Sequence, residues 1–155
     1  MDLDFSVHDI RSYQAGEAHD VVVSLFHVMS YQVANADVEA AMRTAAQALR
    51  PGGLFVFDCW YGPGVLAEPP HVRIFRASEP GTEVLRISEP THLPNENRVD
   101  VRYEIIVGSG GEECRLHELH SMRYFFWPEL EMFLRHERRH SQSGRYHRHH
   151  SPARH

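Results

Sequence analysis

Two continuous apolar runs separated by an amphipathic helix pattern constrain this chain more than any other feature. Residues 20–26 (DVVVSLF) and 54–58 (LFVFD) lack polar alternation, which is typical of parallel strands buried on both faces. Between them, residues 38–49 place apolar side chains on one helical stripe, and Pro51 followed by two glycines ends the helix. Strand, helix and strand in this order predict a βαβ unit.

The second half of the chain follows another pattern. Strand-like stretches occupy residues 72–77, 83–88, 98–107 and 113–126, and turns that contain Gly or Pro separate them. Residues 98–105 (RVDVRYEI) alternate polar and apolar side chains, as in a sheet with one packed and one wet face. We therefore expect an antiparallel sheet, followed by a helix whose first turn contains Pro128.

Charge is distributed unevenly along the chain. The formal net charge is −5 and all 16 basic residues are arginine, six of which lie in residues 135–155 together with six of the 13 histidines. Tyr146 is the only large apolar residue of this tail, which therefore cannot bury enough surface to fold. We expect three regions: a partial α/β core over 1–70, a β-rich substrate or dimerisation region with its following helix over 71–134, and a disordered basic tail over 135–155.

Composition also argues against several function classes. The chain has no run of about 18 apolar residues, so we expect no membrane span. Its acidic start, Met1–Asp4, does not resemble a signal peptide, and we expect a cytoplasmic location. The tail histidines lie among arginines without fixed tetrahedral geometry, so no metal site is expected. The acidic body argues against specific nucleic-acid binding.

Three segments resemble one enzyme family. Residues 20–32 (DVVVSLFHVMSYQ) resemble the fourth strand and following loop of class I S-adenosylmethionine-dependent methyltransferases, and residues 49–58 (LRPGGLFVFD) resemble their LxPGG turn into strand five. Residues 58–63, the strand-rich insertion and residues 120–130 (HSMRYFFWPEL) narrow the likeness to bacterial nucleotide-sugar N,N-dimethyltransferases. Over residues 4–135 the resemblance implies an α/β fold, a partial Rossmann-like methyltransferase sheet (strands three to five) with an antiparallel β-rich insertion.

The resemblance implies S-adenosylmethionine as cofactor and assigns residues to it. The third strand would be Phe5–His8, and Asp9 corresponds to the acid after that strand, which accepts a hydrogen bond from the adenine amino group. Ile10 corresponds to the apolar neighbour that packs on the adenine ring. Leu25 and Phe26 correspond to the segment lining the methionine end of the cofactor, at the carboxyl end of the strands where open α/β sheets bind ligands.

Catalytic and acceptor-binding candidates follow from the same resemblance. Methyl transfer to an amine requires an aligned and deprotonated nucleophile, and His27 or Tyr31 would act as the base or orient a water. Trp60 and Tyr61 correspond to the substrate side of strand five, and Arg123 of the β-rich insertion is a third substrate-binding candidate, without an aligned counterpart in the family. Glu118 and His120 lie on the same insertion and are further candidates for this pocket. Each of these residues also has an ordinary interpretation as a turn, loop or packing residue.

Two marks of the family are missing from this sequence. The ten glycines include no GxGxG turn, the feature that lets the backbone approach the cofactor, and no strand ending in an acid precedes Phe5. The resemblance therefore implies a truncated methyltransferase that acts on a small molecule, for example an amino sugar nucleotide. Two alternatives stay open: a non-catalytic α/β module that dimerises or interacts through the β-rich region, and one piece of a split methyltransferase.

Overall fold

The computed structural model describes residues 3–146, and the side chains of residues 3–136. In chain order the elements are β1 (His19–Ser24), α1 (Asn35–Ala48), β2 (Leu49–Phe57), β3 (Trp60–Tyr61), α2 (Gly62–Ala67), β4 (Arg73–Glu79), β5 (Thr82–Leu93), β6 (Arg98–Ser109), β7 (Glu112–Phe125) and α3 (Trp127–Tyr146). Two short 3-10 helices, Val28–Tyr31 and Pro94–Glu96, lie between them.

These elements group into two compact units. The first unit comprises the described parts of Met1–Leu25, Ala34–Phe57 and Trp127–His155, and the second comprises Phe26–Val33 and Asp58–Phe126. The division does not follow the predicted boundary at residue 70, because the segment after β1 and the residues after β2 belong to the unit of the antiparallel sheet.

The first unit contains the predicted βαβ arrangement, which is confirmed. Strands β1 and β2 pair in parallel, with Val21 opposite Leu54 and Ser24 opposite Phe57. The glycine pair between helix and strand has a steric reason. Gly52 has a φ of +83°, and a Cβ on Gly53 would lie 2.9 Å from the Asp20 carbonyl oxygen.

Helix α1 buries one stripe, as its spacing predicts. The buried residues are Val38, Ala41, Met42, Thr44, Ala45 and Ala48. Helix α3 contacts α1 and buries Leu130 and Phe133. The N-cap residue of α1 is Ala34, which makes no side-chain cap hydrogen bond.

Two predictions in the first unit need correction. Phe5–His8 is not a strand, and the side chains of Phe5 and Val7 are 86% and 100% exposed. A strand needs a hydrogen-bonded neighbour, and the described residues supply none for this segment. The sequence also predicted that ordered structure ends at residue 135, but α3 continues to Tyr146. An ion pair of 2.6 Å between Arg135 and Glu131, one helical turn apart, stabilises this helix. The rest of the predicted disordered tail lies outside the described residues.

The second unit is a five-stranded sheet with the order β3-β7-β6-β5-β4. Strand β3 runs parallel to β7, and the other neighbours are antiparallel, so the predicted antiparallel sheet is confirmed. Its buried core is Val99, Val101 and Tyr124, with Trp60, Val65, Tyr103 and Phe126 packed against it. Among the described residues, no helix combines the length and apolar character needed to cross a bilayer.

Candidate active site

The segment Phe26–Val33, which follows β1 in the chain, is anchored at three points in the second unit. The His27 backbone N–H donates to Asp58 Oδ1 at 2.8 Å. In the middle of the segment, the Trp60 backbone N–H donates to the buried Ser30 Oγ at 2.8 Å. At its end, Arg123 Nη1 donates to the Val33 carbonyl oxygen at 2.9 Å. The backbone path of this segment is therefore set by residues from β3, β7 and the turn between β2 and β3.

The first two residues of this segment have a strained backbone. Phe26 and His27 have φ angles of 61° and 60°, in the left-handed region that side chains with a Cβ seldom adopt. Such conformations cost about 1–3 kcal/mol each and cluster at functional sites. The Phe26 side chain is 86% exposed, so burial does not compensate for the strain.

A hydrogen-bonded chain connects Tyr31 with two residues of β7. The Tyr31 hydroxyl lies 2.6 Å from His120 Nδ1, and His120 Nε2 lies 2.9 Å from Glu118 Oε2. An ionised carboxylate only accepts hydrogen bonds, so Glu118 assigns the ring proton of neutral His120 to Nε2. Nδ1 is then an acceptor, and the Tyr31 hydroxyl donates to it. This arrangement holds His120 in the tautomer that can take a proton from Tyr31.

The surroundings of the Tyr31 phenol favour its protonated form. Partial burial raises its pKa above the ordinary value of 10.0, and repulsion from Tyr103 and Glu118 adds to the effect. A protonated hydroxyl can donate to His120 and accept from a ligand at the same time. Tyr31 is therefore suited to pass a proton from a bound ligand to His120.

Aromatic and cationic side chains support the same residues. The Tyr103 ring meets the His120 ring edge-on, with 5.0 Å between centroids. The Arg86 guanidinium carbon lies 5.7 Å from the Tyr103 ring centroid and 5.4 Å from that of Phe75. These contacts link β4, β5, β6 and β7 on one face of the sheet.

A cavity of about 320 Å³ adjoins Tyr103. Its apolar walls are Trp60, Val101, Tyr103 and three prolines, and its charged or ionisable side chains are Glu68, His71 and Arg73. The size is at the lower end for small-molecule sites, and an apolar lining with a few polar groups is their usual composition. Because Tyr103 contacts both the cavity and His120, a ligand in the cavity would lie beside the hydrogen-bonded chain.

Asp9, the predicted adenine ligand, is already engaged. Its Oδ1 accepts the Arg11 backbone N–H at 2.9 Å and Nε at 3.0 Å, and its Oδ2 accepts Nη2 at 2.6 Å. The Arg11 side-chain hydrogen bond, followed by the backbone N–H, lowers the Asp9 pKa to about 2. Arg11 also binds Asp37 at 2.9 Å. A ligand donor at Asp9 would compete with Arg11, and the adenine role stays a prediction.

The other predicted residues divide between the two units. Ile10 lies half-buried in a turn of the first unit, and Leu25 there is 50% exposed. The second unit holds Phe26, His27, Tyr31, Trp60, Tyr61 and Arg123. Among these, Tyr61 is 60% exposed, whereas Arg123 is only 6% exposed and its guanidinium carbon lies 5.1 Å from the Phe125 ring centroid. The predicted roles of these residues stay predictions.

Two residues near this site were missed in the sequence, Asp58 and Tyr103. A signal for Tyr103 was present, because the Gly110–Gly111 turn sets the register of the β6–β7 hairpin. Counting from that turn places Tyr103 opposite Glu118 and Val101 opposite His120. For Asp58 the sequence had no such signal, because its contact with His27 joins residues 31 positions apart. The residues that the structure describes include no group of three or more His, Cys, Asp or Glu able to hold a metal ion.

Comparison with known proteins shows what the chain is similar to. No protein-family model matches the chain. It is 27% identical over 124 residues to dTDP-3-amino-3,4,6-trideoxy-α-D-glucopyranose N,N-dimethyltransferase from Streptomyces venezuelae, a match that covers 79% of this chain and 51% of that protein. The chain is homologous to sugar N,N-dimethyltransferases.

Solved structures agree on the fold. An S-adenosylmethionine-dependent methyltransferase from Clostridium acetobutylicum matches with a TM-score of 0.70 and 19% identity, over 85% of this chain and 52% of that one. A sugar N-methyltransferase from Streptoalloteichus sp. matches with a TM-score of 0.74 and 19% identity, over 84% of this chain and 51% of that one. The fold is therefore part of the class I methyltransferase fold, and the chain spans about half the length of the relatives it matches.

Proposed function

We propose that this chain takes part in S-adenosylmethionine-dependent transfer of a methyl group to the amine of a small molecule, with an amino sugar nucleotide as acceptor. The observation that carries the proposal is the hydrogen-bonded chain from Glu118 through His120 to Tyr31, beside a cavity of about 320 Å³. Homology to sugar N,N-dimethyltransferases supports both the reaction class and the acceptor.

The chemistry explains why such a chain is useful. The cofactor supplies an electrophilic methyl group, and the acceptor amine attacks through a lone pair that is free only when nitrogen is unprotonated. Tyr31 accepts the amine proton as it donates its own to His120, and Glu118 stabilises the imidazolium that results. His27 remains the second candidate base, because its imidazole is 49% exposed and its Nδ1 lies 3.5 Å from Asp58.

The lining of the cavity supports an acceptor of this class. Trp60 and Tyr103 offer apolar faces to a sugar ring, while Arg73 and His71 offer positive or hydrogen-bonding groups to a phosphate. Arg123 would act indirectly, through its hydrogen bond to Val33, rather than by touching the acceptor. Tyr61 would meet the acceptor with its exposed ring.

The cofactor residues are proposed on exposure and family position. Leu25 and Phe26 expose 50% and 86% of their surface and can pack on the methionine end of the cofactor. Ile10 would pack on the adenine ring. Asp9 would accept the adenine amino group only by sharing its carboxylate with Arg11.

The test is methyl transfer by the purified chain, measured with radiolabelled S-adenosylmethionine and a dTDP-amino sugar. We expect His120→Gln and Tyr31→Phe to lower kcat about 10²- to 10⁴-fold, the usual contribution of general acid–base catalysis. His92→Gln is the matched control, because the rings of His92 and Tyr124 are arranged like those of His120 and Tyr31, with 5.6 Å and 5.7 Å between centroids. Equal losses in His92→Gln and His120→Gln would contradict a catalytic role, and no transfer by a folded wild-type chain would overturn the proposed function.

A second candidate function is association with another protein. Strands β4 and β7 expose apolar side chains on both faces of the sheet: Ile74, Phe75, Leu116 and Leu119 are 49–64% exposed. Exposed apolar side chains can contribute to interaction sites, and these would support a homodimer through the β-rich region or contact with the other piece of a split enzyme. Sedimentation of the chain, alone and after Phe75→Ser with Leu119→Ser, would decide. A wild-type monomer would exclude the homodimer.

A further inference from the structure

We propose that Asp58 is a positioning residue, which holds Phe26 and His27 in the left-handed turn that a ligand of the candidate active site meets. The proposal deepens the proposed function and rests on it for the identity of that ligand, the methyl donor. Asp58 follows β2 directly in the chain, and the turn it holds begins two residues after β1.

One carboxylate acts on both the backbone and the side chain of His27. Asp58 Oδ1 accepts the His27 backbone N–H at 2.8 Å, and Oδ2 lies 3.5 Å from His27 Nδ1. The first contact fixes the peptide group between Phe26 and His27, which joins the two residues with positive φ. The second places the imidazole ring beside the same carboxylate. The backbone contact is a charge-assisted hydrogen bond, which is the stronger class and can compensate for local strain.

The other anchors of the segment act further along the chain. Ser30 and Val33 are held by Trp60 and Arg123, so these contacts limit the middle and the end of the segment and leave φ of Phe26 free to relax. The next hydrogen bond along the backbone, Ser30 N–H to the His27 carbonyl at 2.8 Å, begins the 3-10 helix. Asp58 is thus the contact that acts on the strained end itself.

The turn displays an apolar ring to solvent. Phe26 is 86% exposed, and an apolar side chain on a strained backbone gains nothing from folding alone. Presentation of the Phe26 ring to a ligand would explain why the Asp58 carboxylate maintains a strained backbone conformation. We therefore expect Asp58 to affect the affinity for S-adenosylmethionine rather than the rate of the chemical step.

The experiment compares Asp58→Ala, Asp58→Asn and the control Asp20→Ala. Asp20 is an exposed acid in β1, in the first unit, and its carboxylate binds Arg50 at 2.6 Å. Two readouts are used on the full chain: hydrogen exchange of the His27 amide by NMR, and the KM and kcat of methyl transfer. Asp58→Ala should speed His27 exchange and raise the KM for S-adenosylmethionine about tenfold with little change in kcat.

The conservative variant separates positioning from general instability. Asp58→Asn keeps an acceptor for the His27 N–H and should recover most of both readouts, whereas Asp20→Ala should change neither. Unchanged His27 exchange in Asp58→Ala would overturn the hold on the turn, and faster exchange with an unchanged KM would overturn the link to the ligand. A wild-type chain that neither binds nor uses S-adenosylmethionine would sink the proposed function and with it that link, and His27 exchange would then decide the hold on the turn by itself.

Discussion

The two sheets of this protein bury their apolar side chains to different extents. In the five-stranded sheet, Val99, Val101 and Tyr124 are at most 6% exposed. In the parallel pair β1–β2, one face carries Val21, Val23, Leu54 and Val56, which are 41–58% exposed. Both sheets have strongly apolar strands, so composition alone does not explain the difference.

The difference teaches what each kind of sheet needs from the rest of a protein. Antiparallel strands are joined by short turns, so neighbouring residues in the chain complete one another's hydrogen bonds and core. Parallel strands are buried on both faces in known folds, and each face needs its own layer of helices. Helix α1 packs with its own unit, but the described residues leave the Val21 face of β1–β2 uncovered.

The largest expected effect tests whether the five-stranded sheet has a closed core of its own. Tyr124 in β7 is fully buried and belongs to this core, and Tyr124→Ala should lower the free energy of unfolding by about 3–5 kcal/mol through lost packing and a cavity. Urea unfolding followed by circular dichroism measures the change. Phe75→Ala, at a residue that is 53% exposed in β4, is the control and should cost less than about 1 kcal/mol. Similar costs for the two variants would contradict a core at the β7 side.

A pair of isosteric substitutions compares the two sheets directly. Val99→Thr places a hydroxyl at a fully buried position and should destabilise the protein by about 1–3 kcal/mol. Val23→Thr places the same group on the face of β1–β2 that is 55% exposed at this residue, and the change should stay within about 0.5 kcal/mol. If Val23→Thr lowers the free energy of unfolding in urea as much as Val99→Thr does, the Val23 face of β1–β2 is covered in solution. The two sheets would then not differ in burial.

The next effect concerns the hydrogen-bonded chain of the second unit. Because partial burial, Tyr103 and Glu118 raise the Tyr31 pKa above 10.0, the folded protein binds this proton more tightly than the unfolded chain does. The stability contributed by Tyr31 is therefore complete below pH 10 and is lost as the pH rises further. Burial also raises the pKa of Tyr124, so an ultraviolet titration should show late-ionising tyrosines, and Tyr31→Phe should reduce the amplitude of that late phase. An unchanged late phase in Tyr31→Phe would contradict the assignment.

The smallest expected effect concerns the exposed ion pair between Asp9 and Arg11 in the first unit. The Asp9 pKa is lowered from 3.8 to about 2 by Arg11, so its contribution to stability is complete above pH 3.8 and is lost as the pH falls towards 2. Carbon-13 NMR of the Asp9 carboxyl should give a midpoint near 2. Arg11→Gln should return the midpoint towards 3.8. A midpoint near 3.8 in the wild type would show that Arg11 leaves Asp9 free for a ligand.

Some predictions failed because strand formation depends on a partner. The alternation at Phe5–His8 is the kind of pattern that predicts a strand, but no described strand pairs with it, and the segment is exposed. By contrast, residues 98–107 and 113–126 were predicted as strands from alternation and turns, and they pair because each finds its neighbour across a hairpin. Local pattern was sufficient only where the partner is also local.

The candidate site also separates features that local sequence predicted from contacts that only the folded chain makes. The resemblance rested mainly on residues 20–32, 49–58 and 120–130, which are continuous in the sequence, and several site residues were proposed from those segments. The pairing of Tyr31 with His120 joins residues 89 positions apart, and that of His27 with Asp58 joins residues 31 apart. The hydrophobic pattern within any one of these segments does not predict these contacts.

The amino-acid sequence by itself determined the βαβ unit, the antiparallel sheet and the homology to methyltransferases, because hydrophobic period, turn residues and short motifs are local properties. Tertiary structure alone decided that Glu118, His120 and Tyr31 form one hydrogen-bonded chain, that Asp58 holds a strained turn, and that Asp9 is engaged by Arg11. The physical reason is directionality: a hydrogen bond depends on distances and angles to within fractions of an ångström, and only the folded backbone fixes these between residues distant in the chain.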